Sequence, residues 1–497
     1  MPGGWFTASR EVTLARLSGL VVAVLCLVRV TYLVARPELA ITVVPDDAFY
    51  YLQLAHNRVR LGAWTFDGTA PTSGFHLLHA YLLAFTDLLL GAAGGDWLVM
   101  LAVAGSGAAL ALGLATSLLV RAGQKVYSAG AGWWAMVVMV SAPVIATSTM
   151  LLESHLVILG AAAVIYVVGA GGRHISGRAI LMVVIGLVAA LARSDFLLLP
   201  AMLWLACLAT RQADNARFRR ATAVFLGGTL GFGLTMLHTF LVSGTLLQTS
   251  VLTKLRWSAG TGLAVGHFTA GATAAILVLA GTFVALRLRR PGAPRLFREP
   301  IGLASLFTIL GYGLVYALAT RGFQLWYAAS MIGPLAFAAT MLGSAVRERW
   351  TRAVAAVLVV VSATSTLVQL DREYWPWQVG MLHAAERVRD QAGLDHLGAW
   401  NAGILSVVSG KTVTNLDGLV NDDAAAANAQ SRLFDYLRER RITDIVDYAD
   451  AVTEPETGQP EPRLLACLEQ VAVLSDPGDD RQGSAPITHL RIVPGCG

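Results

Sequence analysis

The sequence predicts a polytopic α-helical membrane protein that ends in a small soluble α/β domain. Its 497 residues are 55% hydrophobic and only 14% charged, whereas a soluble globular chain carries about 25% charged residues. Residues 1–370 form a series of apolar runs, and runs of about 20 residues are long enough to cross hydrocarbon as helices. Residues 371–497 have ordinary polarity and are predicted to form one separate domain.

The first apolar run, 17–34, is predicted to be an uncleaved membrane span. It is too long for the hydrophobic region of a signal peptide, and no clear small-residue cleavage site follows it. Arg10 and Arg16 precede it, which predicts a cytoplasmic N-terminus because cytoplasmic loops carry an excess of Lys and Arg. The net charge of +5 comes mostly from Lys and Arg in such short loops, so we expect no nucleic-acid partner.

The charges of the loops predict about eleven spans, with the C-terminal domain outside the cytoplasm. The run 76–91 is short, and counting it as a full span would place Arg121 and Lys125 outside. We therefore expect it to be an interfacial or re-entrant helix. The predicted spans are 16–35, 97–120, 126–147, 155–171, two that flank Arg193-Ser194-Asp195, 221–243, 264–286, 300–319, 326–344 and 353–370.

Under this topology the unusual polar residues converge on the outer face of the membrane. Asp46 and Asp47 lie shortly after the first span, and carboxylates held near a bilayer mark a functional site by default. Charged residues from four other predicted outer loops join them. This grouping of charged residues on one predicted face favours one shared external site. Asp46 and Asp47 would form it with Glu153, Arg193, Asp195, Lys254, Arg256 and Arg321.

This set of charges suits the transfer of an activated sugar to a hydroxyl group. Asp46 or Asp47, with a preference for Asp46, can accept the proton of the acceptor. Lys254, Arg256 and Arg321 can stabilise a leaving phosphate, and a groove between spans can hold the lipid tail of the donor. Alternatives stay open: the carboxylates can begin a helix, and the cations can reach towards lipid headgroups.

A metal ion is a further option at the same site. Carboxylate oxygens are ligands for hard divalent cations, so Asp47 and Glu153 can hold Mg²⁺, Mn²⁺ or Ca²⁺. His76 and His79 lie three residues apart, but no spacing in the chain has the form of a zinc site. The aromatic residue Tyr50 can serve as an interfacial anchor or contact the sugar.

Several stretches resemble one family. Residues 45–57 (PDDAFYYLQLAHN), 65–68 (TFDG) and 71–76 (PTSGFH) are similar to bacterial polyprenyl-phosphate-dependent glycosyltransferases. These belong to the C-type (GT-C) superfamily, with protein mannosyltransferases, aminoarabinose transferases and mycobacterial arabinosyltransferases. The resemblance implies a catalytic base at Asp46 or Asp47 and a juxtamembrane helix at 76–91.

Weaker matches extend this resemblance along the chain, at 152–154, 191–195, 244–254, 326–327, 398–403 and 413–421. Together with the first-loop stretches, they imply contacts between the substrate and Glu153, Arg193, Asp195, His76, Tyr50 and Trp326. The chain departs from the family pattern beside the acidic motif, which leaves the substrate open. The departures are at Ser73, Leu77, His79, Ser194 and Gln248.

The C-terminal domain alternates helical and strand patterns, which predicts a small α/β fold. We expect helices at 384–391 and 432–441 and strands at 442–447 and 489–493. Cys467 and Cys496 can form a disulfide if the domain faces an oxidising compartment.

The sequence thus predicts an inverting glycosyltransferase of the plasma membrane. Its donor is a polyprenyl-phosphate sugar, and its acceptor is a glycan, lipid or protein of the cell envelope at the outer face. The alternative is a lipid or glycolipid transporter or flippase. Transporters place coupling charges near the midplane and often contain internal repeats, whereas this chain shows no repeat and carries its carboxylates in loops.

Overall fold

A computed structural model describes residues 4–170, 178–210, 215–259, 299–319, 324–344, 348–453, 461–475 and 485–496. Within these ranges the protein is a helical body that carries one five-stranded sheet. Six of the described helical segments are long and apolar enough to cross a membrane. The prediction of a polytopic helical protein with a small α/β domain is confirmed, while the count of eleven spans stays a prediction.

The helices of the membrane part are numbered here in chain order. They are α1 (Gly4–Val34), α2 (Pro37–Val43), α3 (Asp46–Leu61), α4 (Leu77–Leu90), α5 (Trp97–Val126), α6 (Gly132–Met139), α7 (Ala142–Ser148), α8 (Ser154–Gly169), α9 (Ala179–Ala192), α10 (Leu198–Thr210), α11 (Asn215–Ser243), α12 (Thr249–Ala259), α13 (Pro300–Ala319), α14 (Ala329–Gly343) and α15 (Glu348–Val368).

Close packing of α9 against α11 fixes the hairpin whose tip carries Arg193. A Cβ added to Gly186 would lie 2.1 Å from the carbonyl oxygen of Val224, and one added to Gly227 would lie 2.0 Å from that of Val183. Only glycine permits this approach of two backbones, as in many membrane helix pairs. The hairpin therefore holds its tip at a fixed place.

Two predicted elements differ in the structure. The span expected at 126–147 is two short helices, α6 and α7, because Pro143 begins α7 and proline cannot continue the preceding helix. The external loop expected at 244–263 contains the helix α12. The span predicted at 264–286 lies outside the described residues.

The first long loop, which follows α1, folds into the two helices α2 and α3 beside the long helices. Pro45 is the N-cap of α3, and its fixed φ angle suits the residue that precedes a helix. Gly62 ends α3 in the left-handed conformation with φ of 73°, which favours glycine. Asp46 and Asp47 are thus the first two residues of a helix, where the dipole favours carboxylates.

The soluble domain contains a mixed sheet flanked by short helices. The strands β1 (His396–Ala399), β2 (Thr412–Asn415), β3 (Asp444–Tyr448), β4 (Leu468–Val473) and β5 (Ile487–Ile492) lie in the order β2-β1-β3-β5-β4. β1 is parallel to β2 and β3, and β5 is antiparallel to β3 and β4. The helices are α16 (Gln378–Asp390), α17 (Ala402–Ser409), α18 (Asp422–Ala429), α19 (Leu433–Glu439), α20 (Ala449–Thr453) and α21 (Pro462–Ala466).

A disulfide bond closes the end of this domain. It joins Cys467, which directly precedes β4, to Cys496, which follows β5. The sequence had left this pairing open. Disulfides persist in oxidising compartments, so the bond agrees with the predicted placement of the domain outside the cytoplasm.

The soluble domain docks directly on the first loop. Gln378 of α16 donates to the carbonyl oxygen of Val44 at 2.9 Å and accepts from the backbone N–H of Asp46 at 3.0 Å. The buried apolar residues of α3 continue without a break into those of α16 and α17. Helix α3 is therefore held between the membrane helices and the soluble domain.

Candidate functional site

A cavity lies where α3, the hairpin tip and the soluble domain meet. Its walls come from seven separate parts of the chain, which are α3, residues 74–76, residues 152–153, the hairpin tip, α12, residues 326–327 and residues 419–420. The structure brings together seven of the residues predicted from the sequence, which are Asp47, Tyr50, His76, Glu153, Arg193, Lys254 and Trp326.

Asp47 and Lys254 face each other across this cavity. The Nζ of Lys254 lies 3.6 Å from Oδ2 of Asp47, and the two side chains are 35% and 30% exposed. Lys254 also donates to the hydroxyl of Tyr327 at 3.5 Å. A carboxylate and an ammonium group that are both reachable from the cavity can act on opposite partners of one reaction, a proton and an anion.

Glu153 forms the opposite wall together with Arg193 and His76. Its Oε1 lies 3.4 Å from Nη1 of Arg193 and 3.6 Å from Nε2 of His76. Burial alone would raise the pKa of Glu153, but His76 and Arg193 hold it below its usual value. The carboxylate is therefore charged, and it orients the imidazole that borders the cavity.

Arg193 is buried and has several partners of its own. It donates to the carbonyl oxygen of Trp326 and to the hydroxyl of Tyr316, both at 3.0 Å, and its Nε lies 3.2 Å from Oδ1 of Asp195. Asp195 does not line the cavity. Arg193 and Asp195 thus form an ion pair at the hairpin tip.

Asp46, which we had preferred as the base, does not line this cavity. Its carboxylate accepts hydrogen bonds from the backbone N–H groups of Gly403 at 3.1 Å and Ile404 at 2.7 Å. A Cβ on Gly403 would lie 2.4 Å from the carbonyl oxygen of Asp46, so the two segments touch. Burial raises the pKa of Asp46 to about 7. Asp46 thus fastens α17 to α3.

A loop of the soluble domain, residues 418–420, closes one side of the cavity. A Cβ on Gly74 would lie 1.8 Å from the carbonyl oxygen of Leu419, so this wall tolerates no side chain at residue 74. The hydroxyl of Thr253 donates to the carbonyl oxygen of Gly418 at 3.2 Å. Leu419 and Val420 line the cavity. The sequence had marked 413–421 as similar to the family, yet it gave these two residues no role.

Tyr50 has a structural role beside its place in the wall. Its hydroxyl donates to the carbonyl oxygen of Trp400 at 3.1 Å and lies 3.4 Å from Oδ2 of Asp417. Asp417 also accepts from the backbone N–H of Leu419 at 2.7 Å. Burial raises the pKa of Asp417 well above its usual range. These bonds hold the closing loop against α3.

Two predicted phosphate contacts cannot be placed. Arg256 belongs to α12, but its side chain is not among those described. Arg321 lies outside the described residues. Lys254 is thus the predicted phosphate contact that the structure locates, and it borders the cavity.

The structure does not confirm Asp47 and Glu153 as ligands of a divalent cation. Asp47 already faces Lys254, and Glu153 faces Arg193 and His76. Hard divalent cations need six or more oxygen ligands in proteins and water, whereas each of these carboxylates has a cationic neighbour. No group of three or more His, Cys, Asp or Glu side chains that could hold a metal occurs in the described part of the chain.

Comparisons with known proteins identify the fold. No family model matches the sequence, and no curated protein matches it. Among solved structures, ArnT from Cupriavidus metallidurans bound to undecaprenyl phosphate matches with 13% identity and a TM-score of 0.50, over 92% of this chain and 97% of ArnT.

The archaeal oligosaccharyltransferase AglB from Archaeoglobus fulgidus also matches. Its complex with an inhibitory peptide and a dolichol-phosphate has 11% identity and a TM-score of 0.52, over 90% of this chain and 70% of AglB. A second structure of this enzyme, tethered to an acceptor peptide, matches with 12% identity and the same TM-score of 0.52, over 91% and 72% of the two chains. ArnT and AglB are both GT-C glycosyltransferases. The chain therefore has the GT-C fold that its acidic first loop predicted.

Proposed function

We propose that the protein is an inverting glycosyltransferase that uses a polyprenyl-phosphate sugar. The observation that carries this proposal is the pair of Asp47 and Lys254, 3.6 Å apart on the wall of one cavity. Few reactions need a base and a fixed cation beside apolar helices, and transfer of a sugar from a lipid phosphate to a hydroxyl is one of them.

In the proposed reaction Asp47 accepts the proton of the acceptor hydroxyl. The hydroxyl oxygen forms a bond to the anomeric carbon while the bond from that carbon to the phosphate oxygen breaks. The electron pair of the broken bond leaves with the polyprenyl phosphate, whose added negative charge Lys254 stabilises. Attack from the side opposite the phosphate inverts the anomeric carbon in a single displacement.

Asp46 has a positioning role in this proposal. It is the residue before Asp47, and its two hydrogen bonds to α17 fix the first turn of α3. The direction of the Asp47 carboxylate depends on that turn. We assign the base to Asp47 because this carboxylate, unlike that of Asp46, borders the cavity.

The other walls suit a sugar. His76 and Glu153 offer hydrogen-bonding groups to sugar hydroxyls, and Trp326 offers an aromatic ring. We keep Arg256 and Arg321 as proposed contacts of the phosphate. The lipid phosphates bound to ArnT and AglB support a polyprenyl-phosphate donor, and an envelope glycan, lipid or protein is the proposed acceptor.

The proposed location is the outer face of the plasma membrane, with the N-terminus in the cytoplasm. The disulfide between Cys467 and Cys496 supports it, because such bonds are rare in a reducing cytoplasm. The basic loops of the sequence support the same orientation.

The test is transfer of radiolabelled sugar from undecaprenyl-phosphate sugars to membranes of the source cell. Asp47→Asn should reduce kcat by about 10²- to 10⁴-fold, the contribution of a general base, at a normal expression level. Asp46→Asn is the matched comparison: it keeps the base and weakens only the contact that positions it, so it should lose less activity than Asp47→Asn. Full activity of the Asp47 variant would refute the mechanism.

The same assay separates transfer from transport. A glycosyltransferase releases free undecaprenyl phosphate as sugar is transferred, whereas a flippase moves the intact donor across the bilayer. Release of the lipid phosphate by the wild-type protein, and its loss in the Asp47 variant, would exclude the transporter.

A further inference from the structure

A second cavity lies on the other side of α3. It has a volume of about 350 Å³ and is bounded by α3, residues 94–97 at the start of α5, and residues 406–413 of the soluble domain. None of the site residues predicted from the sequence lines it. Its volume is within the range of small-molecule sites, about 300–1,000 Å³.

The geometry of α3 separates this cavity from the candidate active site. Successive residues of an α-helix are rotated by about 100°, so His56, nine residues after Asp47, projects from the opposite side of the helix. Asp47 and Tyr50 line the first cavity, and Gln53, His56 and Arg60 line the second. One helix thus forms a wall of two distinct cavities.

The lining of the second cavity combines polar groups with an aromatic ring. Gln53, His56, Asp67 and Lys411 provide donors and acceptors, and half-buried Trp97 provides an indole. Sites of this mixed type bind molecules that have both hydroxyl groups and apolar faces. Carbohydrates have this chemistry.

The charges around the cavity favour an uncharged ligand. Lys411 Nζ lies 3.1 Å from Oδ1 of Asp395, and Asp67 is a carboxylate in the same wall. Arg60 Nη1 lies 3.4 Å from Nε2 of His56, whose Nδ1 lies 3.5 Å from the buried carboxylate of Asp87. Lys411 therefore has a carboxylate beside it, and Arg60 is linked to one through His56. These carboxylates weaken the attraction of both cations for an anionic ligand.

We infer that this second cavity binds uncharged sugar units of the acceptor glycan, away from the hydroxyl that reacts. The inference rests on the proposed function for the identity of that glycan. Binding energy from a remote part of a substrate holds the reacting part in place. The cavity would thus make the protein prefer longer acceptors over single sugars.

The test is direct binding of neutral oligosaccharides to the full-length protein in nanodiscs. The probes are gluco-, manno- and galacto-oligosaccharides of one to six units, and the Asp47→Asn background prevents turnover. Gly95→Trp places a large ring in the cavity, and a Cβ there would meet only the His56 ring edge at 3.8 Å. We expect at least an approximately tenfold rise in Kd, equal to about 1.4 kcal/mol.

Two further variants guard against a misfolded protein. Gly107→Trp is the matched control, because residue 107 is exposed on α5 with nothing within 4 Å of an added Cβ, and its Kd should equal that of the parent. Gln53→Ala removes a half-buried amide group that lines the cavity, and we expect a Kd roughly two- to tenfold higher.

Two outcomes would overturn the inference and leave the proposed function intact. These are unchanged binding in both cavity variants, or no binding of any oligosaccharide up to millimolar concentration. Because binding is measured without turnover, failure of the glycosyltransferase assay would be a separate result.

Discussion

The stability of the protein should depend on pH through Asp46, and Asp46→Asn should reduce that dependence. The carboxylate of Asp46 is buried beneath the soluble domain, and burial raises its pKa from 3.8 to about 7. A raised carboxyl pKa means that the folded protein binds the proton more tightly than the unfolded chain. The free energy of unfolding is therefore highest below about pH 4 and falls as the pH rises towards 7.

The size of this effect follows from the two pKa values. The interval from 3.8 to about 7, at about 1.4 kcal/mol for each pH unit, lowers the free energy of unfolding by about 4 kcal/mol. Asparagine carries no charge, so it removes this loss. It also replaces one of the two oxygens that accept from Gly403 and Ile404, which destabilises by about 1 kcal/mol.

The expected result is a crossover. Asp46→Asn should be less stable than wild type near pH 4 and more stable by about 3 kcal/mol near pH 8. Asp447, whose pKa burial raises to about 6, gives both proteins a shared slope in the same direction. The measurement is thermal unfolding in nanodiscs from pH 4 to 8.5. Equal pH dependence of the two proteins would refute the account of Asp46.

Four other results are expected. Lys254→Met should reduce kcat about 10²-fold because it removes one stabilising contact of the leaving phosphate, and Lys254→Arg should restore part of it. Arg193→Ala should lower the free energy of unfolding by about 3–5 kcal/mol, since it leaves buried Glu153 without its partner, while a change confined to activity would contradict this. Cys467→Ser should destabilise by about 3–4 kcal/mol, because the bond closes a loop with a sequence separation of 29 residues, and a disulfide-dependent shift in melting temperature would show it. Treatment with EDTA should leave transfer unchanged, and loss of activity restored by Mg²⁺ or Mn²⁺ would show that a metal binds despite the cationic neighbours of Asp47.

Much of the helical fold was predictable because apolar runs of span length leave few alternatives. The hairpin around Arg193 and the helix α13 lie where hydropathy predicted them. The helix α12 was missed because its sequence mixes polar and apolar residues, which resembles a loop between spans. The strands β1 and β2 have four residues each, too few to show an alternating pattern.

The candidate site was predictable in its composition but not in its detail. Loop charges identified Glu153, Arg193 and Lys254 because the predicted topology places all three on one side of the membrane. The choice between Asp46 and Asp47 was beyond the sequence. Neighbouring residues on a helix project about 100° apart, so their roles depend on where the soluble domain docks.

The contact between Gly74 and Leu419 ties the existence of the cavity to the order of synthesis. Residue 74 belongs to the first loop, and residue 419 comes after all of the membrane helices described. A nascent chain that has inserted its spans but not yet folded its last domain has an open, unfinished pocket. The pocket is therefore complete only after the last domain has folded, since the wall formed by residues 419–420 is synthesised last.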